Sequence, residues 1–211
     1  VWLWRRKERQ EWLMAHYFEN DKNLKTDRHE IHFSIDGKTF LMMSDAGVFS
    51  KDKLDTGTSI LLESVLKNSQ PAKHVLDLGC GIGPVGVVLG TFWNCEVTGI
   101  DVNERACALA LQNYKNNHVQ GQVLCQDGVT AGEFDCILLN PPIRAGKEVI
   151  YRLFEQSAAH LTKNGALWIV MRKQHGAQSA VNFLQDTLHL KTERLNRDKG
   201  FWIIKAFRKE N

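Results

Sequence analysis

The chain has 211 residues, of which 43% are hydrophobic and 24% charged. This is the composition of an ordinary globular protein, and the length suits one domain with a substantial core. The net charge of +3 is mildly basic, which permits a nucleic-acid partner without requiring one. No apolar run in the sequence reaches the length of a transmembrane helix, so we expect no membrane partner.

The first segment differs from the rest of the chain. Residues 1–13 (VWLWRRKERQEWL) are cationic and rich in tryptophan, but they lack the long apolar core and the small-residue cleavage site of a signal peptide. We expect them to be an upstream extension outside the fold or a flexible basic arm. Because residues 14–28 are polar and weakly patterned, we predict a partly disordered extension over 1–28 and a single domain over 29–211.

The domain opens with a hairpin pattern. IHFSIDGKTFLMM (31–43) alternates apolar and polar residues around Asp36-Gly37, the strongest short-range signal of a β-hairpin. A turn-rich loop is predicted at 44–58, and SILLESVLKN is typical of a short helix. After Pro71, strands are predicted at 74–79, 95–101, 122–126, 134–139, 166–172, 188–195 and 201–207, and helices at 84–92, 104–117, 147–160 and 176–187.

This alternation of strands and helices predicts the fold class. It favours an α/β fold with a doubly wound, mostly parallel sheet and helices on both faces. Only about five residues (196–200) join the last two strands, too few for a crossover helix, so these strands form an antiparallel hairpin. We therefore expect a seven-stranded, Rossmann-like sheet with an antiparallel C-terminal strand, preceded by an N-terminal β-hairpin.

Cysteine and histidine patterns bear on metal binding and compartment. The chain has five cysteines, an odd number, and no C-x-x-C; four fall in apolar patterns. This indicates small core residues of a reduced, cytoplasmic protein. His29 and His32 form an H-x-x-H pair within a strand-like segment, without accompanying cysteines or carboxylates, so we predict no metal site.

The segment HVLDLGCGIGPVG (74–86) carries the first predicted site. A strand-like run leads into a turn containing Gly79, Gly81 and Gly83, and Pro84 then opens a helix. Glycines here allow a tight turn and a close approach of ligand to backbone. The next strand ends at Asp101, whose carboxylate can accept both hydroxyls of a ribose. The pattern predicts a nucleoside-containing ligand at the carboxyl ends of a parallel sheet.

The pattern does not by itself specify which nucleoside-containing ligand is bound. GIGPVG (81–86) also matches the dinucleotide fingerprint, with Asp101 lying 20 residues beyond Gly81. Asp77, inside the strand, suits an amino-acid ammonium better than a pyrophosphate. Asp127, after the third strand, is placed to accept from an adenine amino group. These two carboxylates favour S-adenosylmethionine, and NAD remains the alternative.

The second predicted site lies where FDCILL (134–139) stops at Asn140-Pro141-Pro142. A residue before proline is held in an extended conformation, and two prolines cannot continue a ladder of strand hydrogen bonds. As the fourth parallel strand, this one ends on the same rim as the glycine turn. The Asn140 side-chain oxygen and the Pro141 carbonyl are then free acceptors facing the cleft.

Two such acceptors suit methylation of an amine. A planar exocyclic NH2 is a poor nucleophile because its lone pair is delocalised into the ring. Hydrogen bonds from both N–H groups favour a pyramidal nitrogen and aim the lone pair at a methyl sulfonium, so orientation and electrostatics supply most of the rate. We therefore predict an N-methyltransferase with Asn140, Pro141 and Pro142 as its catalytic segment.

Together these motifs are recognisable. DLGCGIGPVG, GIDVNERA, VLCQD and NPPIRAGK resemble a class I S-adenosylmethionine-dependent methyltransferase of the "methyltransferase small" (RsmC-like) family, and so does the loop SDAGVFSKDKLDTGT. The best-known members methylate the N2 amine of guanine in ribosomal RNA. The resemblance extends from about residue 29 to the C-terminus. Its most specific part is the combination of GVFS, DTGT and NPPIRAG.

The resemblance implies a Rossmann-like methyltransferase fold, a ribosomal RNA partner and two sets of site residues. The cofactor set is Asp77, Gly79, Gly81 and Gly83 at the methionine end, Asp101 at the ribose and Asp127 at the adenine. The target-amine set is Asn140, Pro141 and Pro142. The resemblance further implies that the 44–58 loop lies near both cofactor and target.

The sequence departs from the family pattern in two ways that concern the substrate. The larger guanine-N2 enzymes carry an additional N-terminal half, and Ile143 stands where related amino-methyltransferases often have a stacking aromatic residue. Stacking then has to come from Phe49 or His175. Basic residues near the rim are candidates for phosphate contacts: Arg144, Lys147, Arg172 and Lys173.

Several functions stay open from sequence alone. The leading hypothesis is methylation of guanine N2 in ribosomal RNA, with Phe49, Ile143, Arg144 and Lys173 as substrate contacts. The alternatives within the same chemistry are adenine N6 and a protein glutamine side chain. Two other classes are a non-catalytic S-adenosylmethionine-binding module and an NAD-dependent oxidoreductase.

Overall fold

The N-terminal hairpin is present as predicted. A computed structural model describes residues 25–50, 52–198 and 200–209; the predicted arm at 1–13 lies outside these ranges. Strands β1 (His29–Ile35) and β2 (Lys38–Ser44) pair antiparallel. The two residues between them both have positive φ, 47° at Asp36 and 75° at Gly37, as a type I′ turn requires.

A seven-stranded sheet forms the centre of the molecule. Its strands are β3 (His74–Leu78), β4 (Glu96–Asp101), β5 (Gly121–Cys125), β6 (Phe134–Leu139), β7 (Leu161–Arg172), β8 (Lys191–Asp198) and β9 (Phe201–Phe207). They lie in the order β5-β4-β3-β6-β7-β9-β8. Strands β3 to β7 pair parallel, whereas β9 runs antiparallel to both neighbours. The predicted fold class is confirmed.

The helices connect these strands. They are α1 (Thr56–Asn68), α2 (Pro84–Trp93), α3 (Glu104–Asn116), α4 (Lys147–Ala159) and α5 (Ala177–Asn182), the last continuing as a π-turn over Phe183–Thr187. Short 3₁₀ turns follow β6 (Ile143–Ala145) and β7 (Lys173–His175). The predicted loop at 44–58 is too long: β2 includes Ser44 and α1 begins at Thr56. The reason is that the Asp55 side chain caps α1, accepting a 3.0 Å hydrogen bond from the Thr58 amide.

Strand β7 also begins earlier than predicted. The sequence placed it at 166–172, but it starts at Leu161, which pairs with Phe134 of β6. The polar run 162–165 hides this extension, because Thr162 is only half-buried and Lys163 and Asn164 are exposed. The pairing is also irregular here, with a register shift between Phe134 and Cys136. This extension of β7 lies at the end of the sheet that is remote from the glycine turn.

Two apolar clusters cover the two faces of the sheet. One joins alternate sheet residues to α1, α2, α3 and the hairpin, around Leu61, Val88 and Trp168. The other joins the opposite sheet residues to α4 and α5, around Phe154, Ile169 and Leu184. Helices on both faces cover the parallel strands, which leaves their ends as the exposed edge where residues from several elements can meet.

The cysteines and the metal prediction can be placed as well. Four of the cysteines are buried, and Cys125 is exposed. Among the residues that the structure describes, no group of three or more histidine, cysteine or carboxylate side chains is arranged to hold a metal ion. The described part of the chain also contains no helix of the length and hydropathy needed to span a membrane.

Candidate active site

A cavity of about 520 Å³ lies at the carboxyl ends of the parallel strands. Its lining brings together the glycine turn after β3, Asp101 at the end of β4, Asp127 beyond β5 and the Asn-Pro-Pro segment after β6. Residues of the loop before α1 also line it, including Phe49 and Asp55. The two sites predicted separately from sequence are therefore two halves of one cavity.

The glycine turn leaves its backbone open to this cavity. The amides of Gly79 and Cys80 both donate to the Ile100 carbonyl, at 2.8 and 2.9 Å, which fastens the turn to β4. Gly79 and Gly81 have φ of 75° and 53°, and a Cβ added at either position would meet no atom within 4 Å. The vacant space at these two glycines fits a ligand that packs directly against the backbone.

Gly83 has a different local reason to be glycine. Its φ is 85°, it precedes Pro84 at the start of α2, and an added Cβ would lie 2.8 Å from a ring carbon of the buried Tyr114. The close approach of α2 to α3 thus requires glycine whether or not a ligand is present. Its predicted cofactor contact stays a prediction.

Asp77 is buried beside the turn with an incomplete hydrogen-bond set. The side chain is 4% exposed, lines the cavity, and its Oδ2 atom has no partner among the described residues. Burial raises the pKa of Asp77 from 3.8 to about 7; the Gly86 amide lowers it and the charge of Asp101 adds to the rise. A buried carboxyl short of a partner is stabilised by a cation, and the ammonium group of S-adenosylmethionine supplies one.

Asp101 holds the turn and retains acceptor capacity. Its two carboxylate oxygens accept from the amides of Gly81 at 2.8 Å and Asn103 at 2.9 Å. Burial raises the pKa of Asp101, while the amides of Asn103, Gly81 and Val102 oppose the rise. Each carboxylate oxygen has a second lone pair, so the side chain can still accept hydroxyl groups of a ribose.

Asp127 lines the cavity but already has a partner. Its carboxylate forms a two-oxygen ion pair with the Arg152 guanidinium, at 2.9 and 3.0 Å. Arg152 lies on α4, and no sequence pattern indicates this pairing. An adenine amino group would have to share the Asp127 carboxylate with Arg152, so this predicted contact is the least direct of the cofactor set.

Asn140 is held by two residues of the loop-to-helix junction before α1. Its Nδ2 atom donates to Asp55 Oδ2 and to Thr58 Oγ1, each at 3.0 Å. Within the described part of the chain, neither Asn140 Oδ1 nor the Pro141 carbonyl accepts a hydrogen bond, and both residues line the cavity. The Pro142 carbonyl accepts from Ala145 at 2.9 Å and begins the following turn. The chain thus keeps two free acceptors at this strand end.

The predicted substrate residues are not all placed alike. Phe49, Ile143, Arg144 and His175 line the cavity, and so does Arg172. Phe49 is 67% exposed. Lys173 is exposed but lies outside the lining, and the Lys147 ammonium sits 4.9 Å from the Tyr151 ring centroid.

Asn113 is a supporting residue for which the sequence carries no signal. Asn113 of α3 is fully buried; its side chain donates at 2.9 Å to the carbonyls of both Met43 and Ile82, and accepts from the Met43 amide at 2.7 Å. It therefore links the hairpin to the glycine turn. An asparagine in an amphipathic helix ordinarily indicates a solvent-facing position, so the pattern contained no signal for this role.

Residues 39–205 match the methyltransferase small domain family. The chain belongs to that family. It is therefore a class I methyltransferase with S-adenosylmethionine as its cofactor, as the motifs predicted. When bound, this cofactor supplies a methyl group on positively charged sulfur, and Asp77, Gly79, Gly81 and Asp101 are the residues whose burial, space and acceptors fit it.

Relatives of known sequence and structure extend this comparison. The chain is 38% identical over 200 residues to the uncharacterized protein YbxB of Bacillus subtilis, covering 92% of this chain and 98% of that one. It is 31% identical over 194 residues to ribosomal RNA small subunit methyltransferase C of Pseudomonas entomophila, covering 89% of this chain and 57% of that one. The chain thus spans little more than half the length of the latter enzyme.

The fold is shared with a solved enzyme. The structure of the T. thermophilus 16S rRNA N2 G1207 methyltransferase (RsmC), in complex with AdoMet and guanosine, superposes with a TM-score of 0.76 at 22% identity. The match covers 90% of this chain and 53% of that one. It supports the same Rossmann-like methyltransferase fold.

Proposed function

We propose that this methyltransferase transfers a methyl group to an exocyclic amine, the N2 amine of a guanine in ribosomal RNA. The observation that carries the proposal is the pair of free acceptors at Asn140 and Pro141, placed in the same cavity as the glycine turn and Asp77. Relatives named ribosomal RNA small subunit methyltransferase C, and a solved relative in complex with AdoMet and guanosine, support this choice of substrate.

The residues of the chain act on the amine by orientation. Asn140 Oδ1 and the Pro141 carbonyl accept its two N–H groups, which turns the nitrogen lone pair toward the cofactor side of the cavity. The same two dipoles stabilise the positive charge that develops on nitrogen during transfer. The proton released afterwards can pass to water, so no strong general base is needed.

The basic side chains of the cavity lining favour a polyanionic target. Asp77, Asp101 and Asp127 lie at the cofactor half, and the Asp55 carboxylate lies beside Asn140. The basic residues of the lining are Lys53, Arg144, which follows β6, and Arg172, the last residue of β7. Cations around a target base are suited to the phosphates that flank it. We propose RNA as the partner and the cytoplasm as the compartment where the enzyme meets it.

Other planar amines remain outcomes of the test. Ile143 stands directly after the Asn-Pro-Pro segment and is 36% exposed, so an aromatic platform is absent at that position. This disfavours adenine N6 and protein glutamine as targets if they depend on stacking there. The exposed side chain of Phe49, in the same cavity lining, is available for a base in an RNA.

Asn140→Ala tests the proposed reaction. We expect it to bind S-adenosylhomocysteine with unchanged affinity in titration calorimetry, and to lose about a hundredfold or more of the rate of methyl transfer to ribosomal RNA from a strain lacking the protein. Asn116→Ala, an exposed amide on α3, serves as the control. Normal turnover by Asn140→Ala would overturn the mechanism.

A further inference from the structure

The Asn140 amide is held in one orientation by Asp55 and Thr58. An asparagine side chain can present either its oxygen or its NH2 group to a ligand, and only the oxygen can accept from a target amine. Both amide hydrogens are directed at acceptors on the α1 side, Asp55 Oδ2 and Thr58 Oγ1, each at 3.0 Å. This arrangement leaves Oδ1 for the cavity.

The direction of the hydrogen bonds is fixed by chemistry. A carboxylate oxygen only accepts, and the Thr58 hydroxyl lies 3.4 Å from the same Asp55 Oδ2, to which it donates its hydrogen. Thr58 Oγ1 is then left with lone pairs to accept from Asn140. Rotating the Asn140 amide by half a turn would place its oxygen against the Asp55 carboxylate, which can only accept, and would leave its NH2 facing the target amine, donor against donor.

Asp55 is itself held in place. Its Oδ2 atom caps α1 by accepting from the Thr58 amide at 3.0 Å, and its carbonyl accepts from Ser59 at 2.9 Å. A Cβ added at Gly57 would lie 3.0 Å from Asp55 Oδ2 and 3.2 Å from the Phe201 ring. Asp55 and Thr58 of the DTGT segment therefore form one hydrogen-bonded cluster with Asn140, and Gly57 leaves the space that this cluster needs.

We infer that Asp55 and Thr58 are positioning residues that select the amide rotamer of Asn140 needed for methyl transfer to an amine. The inference rests on the proposed function. It assigns to the DTGT segment a role in catalysis that acts through Asn140, in addition to its role in starting α1.

Two single variants each remove one of the hydrogen bonds that orient the Asn140 amide, while keeping the cap of α1. Thr58→Val replaces the hydroxyl by a methyl group of similar size, and Asp55→Ser still caps a helix but is shorter toward Asn140. We expect each to lower kcat about tenfold or more on ribosomal RNA from a strain lacking the protein, with little change in KM. The affinity for S-adenosylhomocysteine and the urea midpoint should stay near wild type. Ser59→Ala, an adjacent α1 position that does not contact Asn140, is the matched control and should leave kcat unchanged.

A second comparison separates positioning from folding. Asn140→Asp keeps an acceptor but places two carboxylates about 3 Å apart, where they cannot both be ionised at low cost. Adding Asp55→Asn restores an amide–carboxylate pair, and Asn is also a good cap. We expect Asp55→Asn to lower kcat in the wild-type background and to raise it in the Asn140→Asp background. If Asp55 has only a structural role, Asp55→Asn will change kcat in the same direction in both backgrounds.

Nuclear magnetic resonance gives a readout that needs no turnover. The Asn140 side-chain NH2 signals, assigned by their loss in Asn140→Ala, should exchange slowly with water in the wild type and faster in Thr58→Val. If Asn140→Ala is inactive but Thr58→Val and Asp55→Ser have wild-type kcat and unchanged amide exchange, the positioning inference is overturned while the proposed function stands. If Asn140→Ala turns over normally, both fall together.

Discussion

Asn140 donates a 3.0 Å hydrogen bond to the Asp55 carboxylate, which lies 85 positions earlier in the chain. The contact joins the end of a central parallel strand to the start of the first helix of the domain. Because Asp55 also caps that helix, the geometry of the proposed target-amine site depends on an element outside the cofactor-binding half. Two of the motifs that carry the family resemblance, DTGT and NPPIRAG, therefore form one structural unit.

The buried Asp77 carboxyl should make the stability of the cofactor-free protein depend on pH. Its pKa is raised by burial to about 7 in the folded state, against 3.8 when unperturbed, so the folded state holds a proton that the unfolded state has lost. The resulting contribution is fully present below 3.8 and is lost as pH rises through about 7. In urea unfolding across this pH range, the free energy of unfolding should decline less with rising pH in Asp77→Asn than in wild type. An identical decline in the two proteins would show that Asp77 is not the group responsible.

Binding of the cofactor should release a proton from Asp77. If the ammonium of S-adenosylhomocysteine requires the ionised carboxylate, affinity falls as pH decreases below about 7. Calorimetry in two buffers of different ionisation enthalpy measures the proton released at neutral pH. Asp77→Asn should bind weakly and release no proton. Equal proton release by wild type and variant would show that another group is responsible.

Two glycines of the turn should respond differently to alanine. At Gly81 an added methyl group meets nothing within 4 Å, so Gly81→Ala should cost only about 1–2 kcal/mol of unfolding free energy, because of its positive φ. The same methyl group fills cavity space and should therefore reduce cofactor affinity more than tenfold. At Gly83 the methyl group would lie 2.8 Å from Tyr114, so Gly83→Ala should cost about 3 kcal/mol or more. A reversed order in urea unfolding would contradict the packing described for this turn.

The Asn113 side chain should contribute strongly to stability. Removing it in Asn113→Ala leaves the Met43 amide and the carbonyls of Met43 and Ile82 without their partners, which should cost about 2–4 kcal/mol in urea unfolding. Asn116→Ala, exposed on the same helix, should change the unfolding free energy by less than about 0.5 kcal/mol. Similar values for the two variants would show that the link from hairpin to glycine turn is not what holds them together.

The exposed ring of Phe49 should act on the RNA rather than on the cofactor. Phe49→Ala is expected to lower RNA affinity by the about 1–3 kcal/mol typical of base stacking, with the S-adenosylhomocysteine affinity unchanged. Leu41→Ala is a suitable control, since Leu41 is also exposed but lies outside the cavity lining. Equal RNA binding by wild type and Phe49→Ala in a filter assay would remove Phe49 from the substrate site.

The sequence predicted the sheet and the strand ends well because their signals are local. Glycines with positive φ, a proline at a helix start and a carboxylate after a strand each act within a few residues. What it missed depends on contacts between distant residues. The DTGT motif carried no indication that Asp55 contacts Asn140, Asn113 resembled a surface amide, and the Arg152 partner of Asp127 lies 25 positions away. Such partners are fixed by tertiary packing, which no local pattern encodes.

Mass mapping of ribosomal RNA shows whether this protein methylates a guanine N2 in cells. RNA should be compared from cells with the protein, without it, and with Asn140→Ala expressed in its place. We expect one guanosine to carry an N2-methyl group only when the wild-type protein is present, and we expect Asn140→Ala to fail to restore it. An identical ribosomal RNA methylation pattern in all three would contradict the proposed function.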